Sequence, residues 1–236
     1  MSLLVAIEGA DGAGKNTAAR NVAEALIATG ISATVLSFPR YGSTVGGTAL
    51  GEFLSGRLSV AVTPSSLAVL YALDRFESRQ TIESAAASHD VVLFDRYIAS
   101  NVAYQGAKVD DAERSTLMEW IIALEVETFG LPAPDLNVYL DTPLVVARQL
   151  MLLKDKRSYT ERSYDEHESD EQLQKNVRII YERMADKSLV GPWRTIRTVR
   201  DQRLMDPMIL TADIVRIICQ LPAASEFRRS AITAKA

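Results

Sequence analysis

The run GADGAGKNT, residues 9–17, follows an apolar stretch from Leu3 to Glu8 and precedes helical spacing that resumes at Lys15. A strand, a glycine-rich turn and a helix in immediate succession leave few folds open to the chain. The N–H groups of such a turn converge on phosphate oxygens, and the helix behind adds positive potential at its N-terminus. At average glycine and lysine frequencies the bare spacing G-x-x-x-x-G-K arises by chance in roughly one chain of this length in fifteen. The flanking strand and helix therefore carry the inference. Gly9, Gly12 and Gly14, with Ala13 between the last two, free the backbone to wrap an anion, and Lys15 is placed to bridge β and γ phosphates. Asn16 stands where such loops use Ser or Thr to hold magnesium. Its amide oxygen or the Thr17 hydroxyl is the substitute within the loop, and an altered or a decayed site are both open at this point.

Beyond the loop, strands and helices alternate. Strands are expected at 3–8, 33–38, 91–95, 136–141 and 195–199, and helices at 44–55, 64–87, 111–129, 143–152, 166–187 and 207–221, after a first helix closed by Gly30 as its C′ residue. VVLFD at 91–95 is apolar enough to be buried on both faces. This alternation predicts an α/β protein of the P-loop NTPase fold: a five-stranded parallel sheet flanked by helices, with ligands at the strand carboxyl ends and a short lid. One domain is expected over residues 1–222, and the alanine-rich end from 223 to 236 is expected to fray.

Charge narrows the partners. The 236 residues carry a net charge of −4, which argues against a nucleic-acid coat or a polybasic membrane patch, so any anionic ligand must be held locally. Cys219 is the single cysteine, and no apolar run reaches the roughly 20 residues of a membrane span. The start MSLLVAIEG lacks a basic secretory n-region. These features predict a cytoplasmic protein that binds neither nucleic acid nor membrane.

Asp95 ends an apolar strand, the usual magnesium partner beside a phosphate loop, although an Asp there also N-caps helices. Asp11, inside the loop, is a second candidate ligand. No N-K-x-D guanine motif occurs, which removes a GTPase. Arginines cluster where strands and helices end: Arg40 in FPRYG, Arg75 in YALDRFE and Arg96 in DRYIASNVAY. They suit a second anionic pocket, as a small nucleotide kinase needs for its acceptor.

At IEGADGAGK, SFPRYG, ALDR, DRYIASNVAY and PDLNVYLD the chain resembles the thymidylate kinases, most of all the actinobacterial members, which share a non-hydroxyl residue after the loop lysine. The combination D-R-Y-x-x-S-x-x-A-Y, with Ser100, Ala103 and Tyr104, is specific to that family. The resemblance implies ATP-dependent phosphorylation of dTMP to dTDP with Mg2+, and a homodimer. It implies that Arg96 grips the dTMP phosphate beside Asp11, with Arg40 assisting next to Phe38 and Pro39. Arg75 would donate to thymine O4, Asn101 would satisfy the pyrimidine edge, and Tyr104 would close the sugar 2′ side. Tyr71, where the family commonly has Phe, would stack on the base, and Tyr41 would line the same cavity.

The loop supplies no arginine, so the family pattern moves that cation into a lid at about 153–164. LKDKRSYTERS offers Lys154, Lys156, Arg157 and Arg162, of which Arg157 and Arg162 suit phosphate best because of their forked guanidinium groups. DEHE at 165–168 resembles the lid exit. Asp165 and His167 are candidate sugar contacts and Glu168 a candidate metal ligand, with first-turn acids of the next helix as the plainer reading for Asp165 and Glu168. A deoxynucleoside kinase, and a protein that binds nucleotide without transfer, are the competing functions.

Overall fold

The structure, a computed structural model, describes residues 2–58, 60–155, 171–201, 203–222 and 224. Five strands, β1 (Leu3–Glu8), β2 (Ala33–Ser37), β3 (Val91–Asp95), β4 (Leu136–Asp141) and β5 (Trp193–Arg197), form one sheet in the order β2-β3-β1-β4-β5. All four pairings are parallel. The carboxyl ends of β1 and β3 therefore lie side by side, with Ile7 opposite Asp95. The P-loop α/β fold expected from the alternation is the fold observed.

Helices cover both faces, which is why β3 reads as an unbroken apolar run. On one face α1 (Lys15–Ala28) and α9 (Pro207–Cys219) pack Ala18, Val22, Leu26, Ile214 and Ile218 onto Val5, Ile7 and Leu93. Complete burial of Val22 and Leu26 contributes about 1.5–3 kcal/mol each. On the other face lie α3 (Pro64–Glu77), α4 (Arg79–Ser88), α5 (Ile98–Gly106), α6 (Asp111–Ile122) and α8 (Glu171–Asp186), which bury Ala68, Ile82, Val102, Met118, Ile121, Val177 and Tyr181 against Ala6, Val92 and Phe94. α2 (Val45–Leu54) lies on α3, and α7 (Leu144–Asp155) follows β4.

Four boundaries differ from the sequence pattern. The helix expected over 64–87 breaks at Ser78, whose side chain bonds back to the Asp74 carbonyl at 2.7 Å. Residues 98–106, to which the sequence pattern assigns no element, form α5. It has no capping side chain and is buried on nearly every side, so neither periodicity nor a start signal marks it. The helix of 111–129 ends in a π-helical turn over Ala123–Thr128. The fifth strand is 193–197, shifted from 195–199, and an antiparallel pair, β6 (Val199–Arg200) and β7 (Arg203–Leu204), follows it. Ala224, expected in a fraying tail, is buried against the α1/α9 core. Among the described residues no helix is long and apolar enough to cross a membrane.

Candidate active site

The turn after β1 is built by backbone. Gly12 has φ +75, and a Cβ there would lie 2.2 Å from the Ala147 carbonyl oxygen of α7, so glycine is required both by conformation and by space. Gly9 likewise faces the Leu140 carbonyl oxygen at the end of β4. Gly14, at φ +83, begins α1 with no capping side chain, which leaves the N–H groups of the first turn for an anion. Ala13 is buried, and Asn16 and Thr17 are exposed on that first turn. Lys15 folds over the turn and donates to the Ala10 carbonyl at 2.7 Å. Burial, and then the Arg96 cation, lower its pKa to about 8 against the pull of Asp11, Asp95 and Glu8.

Arg96 follows β3 with φ +66, a left-handed conformation that costs a non-glycine residue roughly 1–3 kcal/mol. Buried Glu8, the last residue of β1, holds this corner. Its carboxylate accepts from the Tyr97 N–H at 2.7 Å, from Ser100 Oγ at 2.6 Å and from Tyr181 Oη at 2.8 Å. The Arg96 guanidinium is thereby aimed back at the glycine turn, where Nη2 donates to Asp11 Oδ1. It lies over the Tyr104 ring, 5.1 Å from the centroid. Gln174 of α8 clasps Asp11 from the other side, donating to Oδ2 at 2.8 Å and accepting from its N–H at 3.1 Å. Burial is the strongest single influence on Asp11 and pushes its pKa upward, but the opposing influences, led by Arg96 and Lys15 and joined by hydrogen bonding from Gln174, outweigh it and hold the carboxyl at about 2.

An open cavity of about 500 Å³ begins at this ion pair. Asp11, Arg96, Phe38, Pro39, Tyr41, Tyr71, Arg75, Asn101 and Tyr104, all singled out from the sequence, line it together with Leu54, Ser100 and Gln105. Arg40 is not part of the lining. Its guanidinium is held at the corner between α3 and α4 by Ser78 Oγ at 3.2 Å and Thr81 Oγ1 at 3.1 Å, while its N–H donates to Asp74. At the far end Arg75 is 1% exposed and Glu125, in the π-helical turn, is 0% exposed. They form a two-pronged ion pair at 2.6 Å on both contacts. Residues 156–170 lie outside the described residues, and with them Lys156, Arg157, Arg162, Asp165, His167 and Glu168.

Asp95 closes β3 beside the turn, and Asn16 Nδ2 donates to its Oδ2 at 2.8 Å. Asn16 thus turns its N–H2 to the carboxylate and orients it. The two oxygens of Asp11, by contrast, carry Arg96 and Gln174. Among the described residues there is no cluster of three or more His, Cys, Asp or Glu side chains arranged for a metal. One strand-end carboxylate completed by phosphate oxygens and water is the donor set magnesium favours, so Asp95 fits that ion.

Glu8, Gln174, Glu125 and Gln105 were missed from the sequence. Glu8 carries a signal, an acid closing an otherwise apolar buried strand. Glu125 carries another, since Met118, Ile121 and Glu125 fall on one helical face at i, i+3 and i+7. Gln174 shares the buried face of α8 with Val177 and Tyr181. Gln105 carries no local signal.

A phosphate-binding turn adjoining a second, arginine-lined cavity at the carboxyl ends of a parallel sheet defines a P-loop nucleoside monophosphate kinase. The profile of the family described as Thymidylate kinase matches residues 7–191. The thymidylate kinase of Mycobacterium tuberculosis (strain H37Rv) is 34% identical over 195 residues, 82% of this chain and 91% of that protein. That of Homo sapiens is 28% identical over 225 residues, 93% and 94% of the two chains. A solved thymidylate kinase from Candida albicans superposes with a TM-score of 0.66 at 22% identity, covering 92% and 91% of the two chains. The chain belongs to the thymidylate kinase family.

Proposed function

We infer that the protein transfers the γ-phosphoryl group of ATP to the 5′-phosphate of dTMP, yielding dTDP and ADP. The observation that carries this reading is the contact between Arg96 and Asp11, which puts a guanidinium at the border of the glycine turn and the cavity. An acceptor phosphate on Arg96 would adjoin the end of a donor polyphosphate lying in the turn.

In this reading Gly9, Gly12, Ala13 and Gly14 wrap the ATP phosphates with backbone N–H groups, and Lys15 leaves the Ala10 carbonyl for the β and γ oxygens. Arg96 binds the dTMP phosphate as a fork, and Asp11, gripped by Gln174, keeps that fork in line with the turn. A dTMP phosphate oxygen attacks the γ phosphorus as the bond to the ADP oxygen breaks. No proton-transfer catalyst is needed, because the attacking phosphate is already an anion, and rate comes from alignment and from cations around the migrating group. Mg2+ at Asp95, with Asn16 orienting the carboxylate and Thr17 nearby, would neutralise phosphate charge. We assign the cations that complete the transition state to Arg157 and Arg162, and the sugar contacts to Asp165 and His167. Phe38, Pro39, Tyr41 and Tyr71 enclose the nucleoside, Tyr104 the sugar, and Arg75 and Asn101 the base edge. A homodimer belongs to the same reading, supported by the exposed apolar side chains Val69 and Phe76 on α3 and Trp120 on α6.

ADP release coupled to NADH oxidation, measured with dTMP, thymidine, dUMP and no acceptor, tests the assignment. Turnover with dTMP well above thymidine and the blank is expected. Equal or better turnover with thymidine would overturn it in favour of a nucleoside kinase, and ATP binding without turnover in favour of a non-catalytic protein.

A further inference from the structure

The base end of the cavity is organised by a residue that does not line it. Asn101 sits on α5 with its amide N–H2 between two acceptors, the Ala68 carbonyl at 3.0 Å and Glu125 Oε1 at 2.8 Å. An amide flanked by two acceptors can present only its nitrogen to them, so its oxygen is the group that remains. That oxygen, Oδ1, is buried and has no hydrogen-bond partner, and Asn101 lines the cavity. Glu125 takes Nε and Nη2 of Arg75 with the same carboxylate, and Arg75 lines the cavity too, with Nη1 outside that pair. One buried carboxylate thereby dictates that the pocket shows an acceptor at position 101 and a donor at position 75.

Building on the dTMP kinase reading above, we propose that Glu125 is the positioning residue for base selectivity, fixing Asn101 and Arg75 so that the pocket accepts a base edge with an N–H beside a C=O and rejects the reversed pattern. Thymine offers N3–H and O4 in that order; cytosine offers an unprotonated N3 and an N4 amino group. The device works because an ionised carboxylate only accepts hydrogen bonds. Glu125 Oε1 accepts from both Arg75 Nη2 and Asn101, so a glutamine in its place would keep its oxygen there and set its N–H2 against Arg75 Nε. Arg75 would then lose the partner that aims it, and the pocket would no longer hold a fixed donor against the cytosine amino group.

The test compares kcat/KM for dTMP and 5-methyl-dCMP, which share the 5-methyl group and the phosphate and differ only in the base edge. In the unmodified protein the ratio is expected to favour dTMP strongly, and 3-methyl-dTMP, which lacks the N3–H, is expected to be a poor acceptor. In Glu125→Gln the dTMP/5-methyl-dCMP ratio is expected to fall by about 10- to 100-fold, the worth of one buried mismatched hydrogen bond, while ATP affinity is unchanged. In Glu125→Asp, which stays acceptor-only, the ratio is expected to hold even as both rates decline. A ratio near one in the unmodified protein overturns the proposal whatever the variants do, including a Glu125→Gln that fails to fold. So does a folded Glu125→Gln in which both acceptors lose rate equally, the outcome of a purely structural ion pair. Absence of turnover with dTMP in the unmodified protein would instead remove the parent reading, which separates the two failures.

Discussion

Two anion sites meet at Asp11, and they are built by opposite means. The glycine turn is local and made of backbone: consecutive residues between β1 and α1, held in shape by Gly9 and Gly12 where no Cβ fits. The acceptor cavity is made of side chains from α2, α3, α5 and the loops after β2 and β3, tied together by Glu8, Gln174 and, from the π-helical turn behind it, Glu125. A backbone site tolerates changes in side chains and fails when a conformation is blocked. A side-chain site tolerates local backbone adjustment and fails when a charge loses the partner that aims it.

Arg96→Ala strikes where both sites share a residue and should have the largest effect, about a 100- to 1,000-fold loss of kcat with far-UV circular dichroism unchanged. A loss under tenfold would detach Arg96 from the reaction. Gly12→Ala should destabilise the fold by about 3 kcal/mol or more, since it combines a left-handed backbone with a Cβ driven into the Ala147 carbonyl. Gly14→Ala, at similar φ but with nothing within 4 Å of its Cβ, should cost only about 1 kcal/mol. Urea unfolding of the pair separates conformation from crowding, and equal costs would refute the role given to α7. Gln174→Leu removes two buried contacts from Asp11 and should lower kcat/KM about tenfold, with ATP affinity retained.

The next effect depends on pH. Burial and Arg96 lower the Lys15 pKa to about 8 in the free protein, and bound phosphates restore it. ATP affinity should therefore be level below pH 8 and weaken above it, by up to about tenfold per pH unit, with proton uptake on binding. Calorimetry in buffers of different ionisation enthalpy reads this directly, and binding without proton uptake at pH 8.5 would contradict it. Arg40→Ala should have the smallest effect, under about tenfold in kcat/KM for dTMP, because its guanidinium is anchored to Ser78 and Thr81 outside the cavity. A larger loss would mean that Arg40 turns inward when the acceptor phosphate arrives.

The glycine turn and the parallel α/β class were legible in the sequence because each depends on residues near one another in the chain, whereas most of the cavity lining was legible only through the family resemblance carried by FPRYG, ALDR and DRYIASNVAY. Gly9, Gly14 and Lys15 announce an anion site through their spacing between an apolar strand and a helix, and β3 declares its burial through an unbroken apolar run. Asn16 was legible as an anomaly but not as a solution, since its partner Asp95 is 79 positions away. Helix α5 stayed hidden because its stability comes from being enclosed, and the break at Ser78 because a single hydroxyl decides it.

By itself, then, the sequence determined a parallel α/β sheet, a phosphate-binding turn at the end of β1 and a set of arginines for a second anion. Only the tertiary structure decided what aims Arg96 at that turn, that Arg40 leaves the cavity, and which way the Asn101 amide points. Those choices rest on Glu8, Glu125 and Gln174, whose buried hydrogen bonds join elements far apart in the chain. A buried polar group must find its partner wherever the packing brings one, and local spacing holds no record of that meeting.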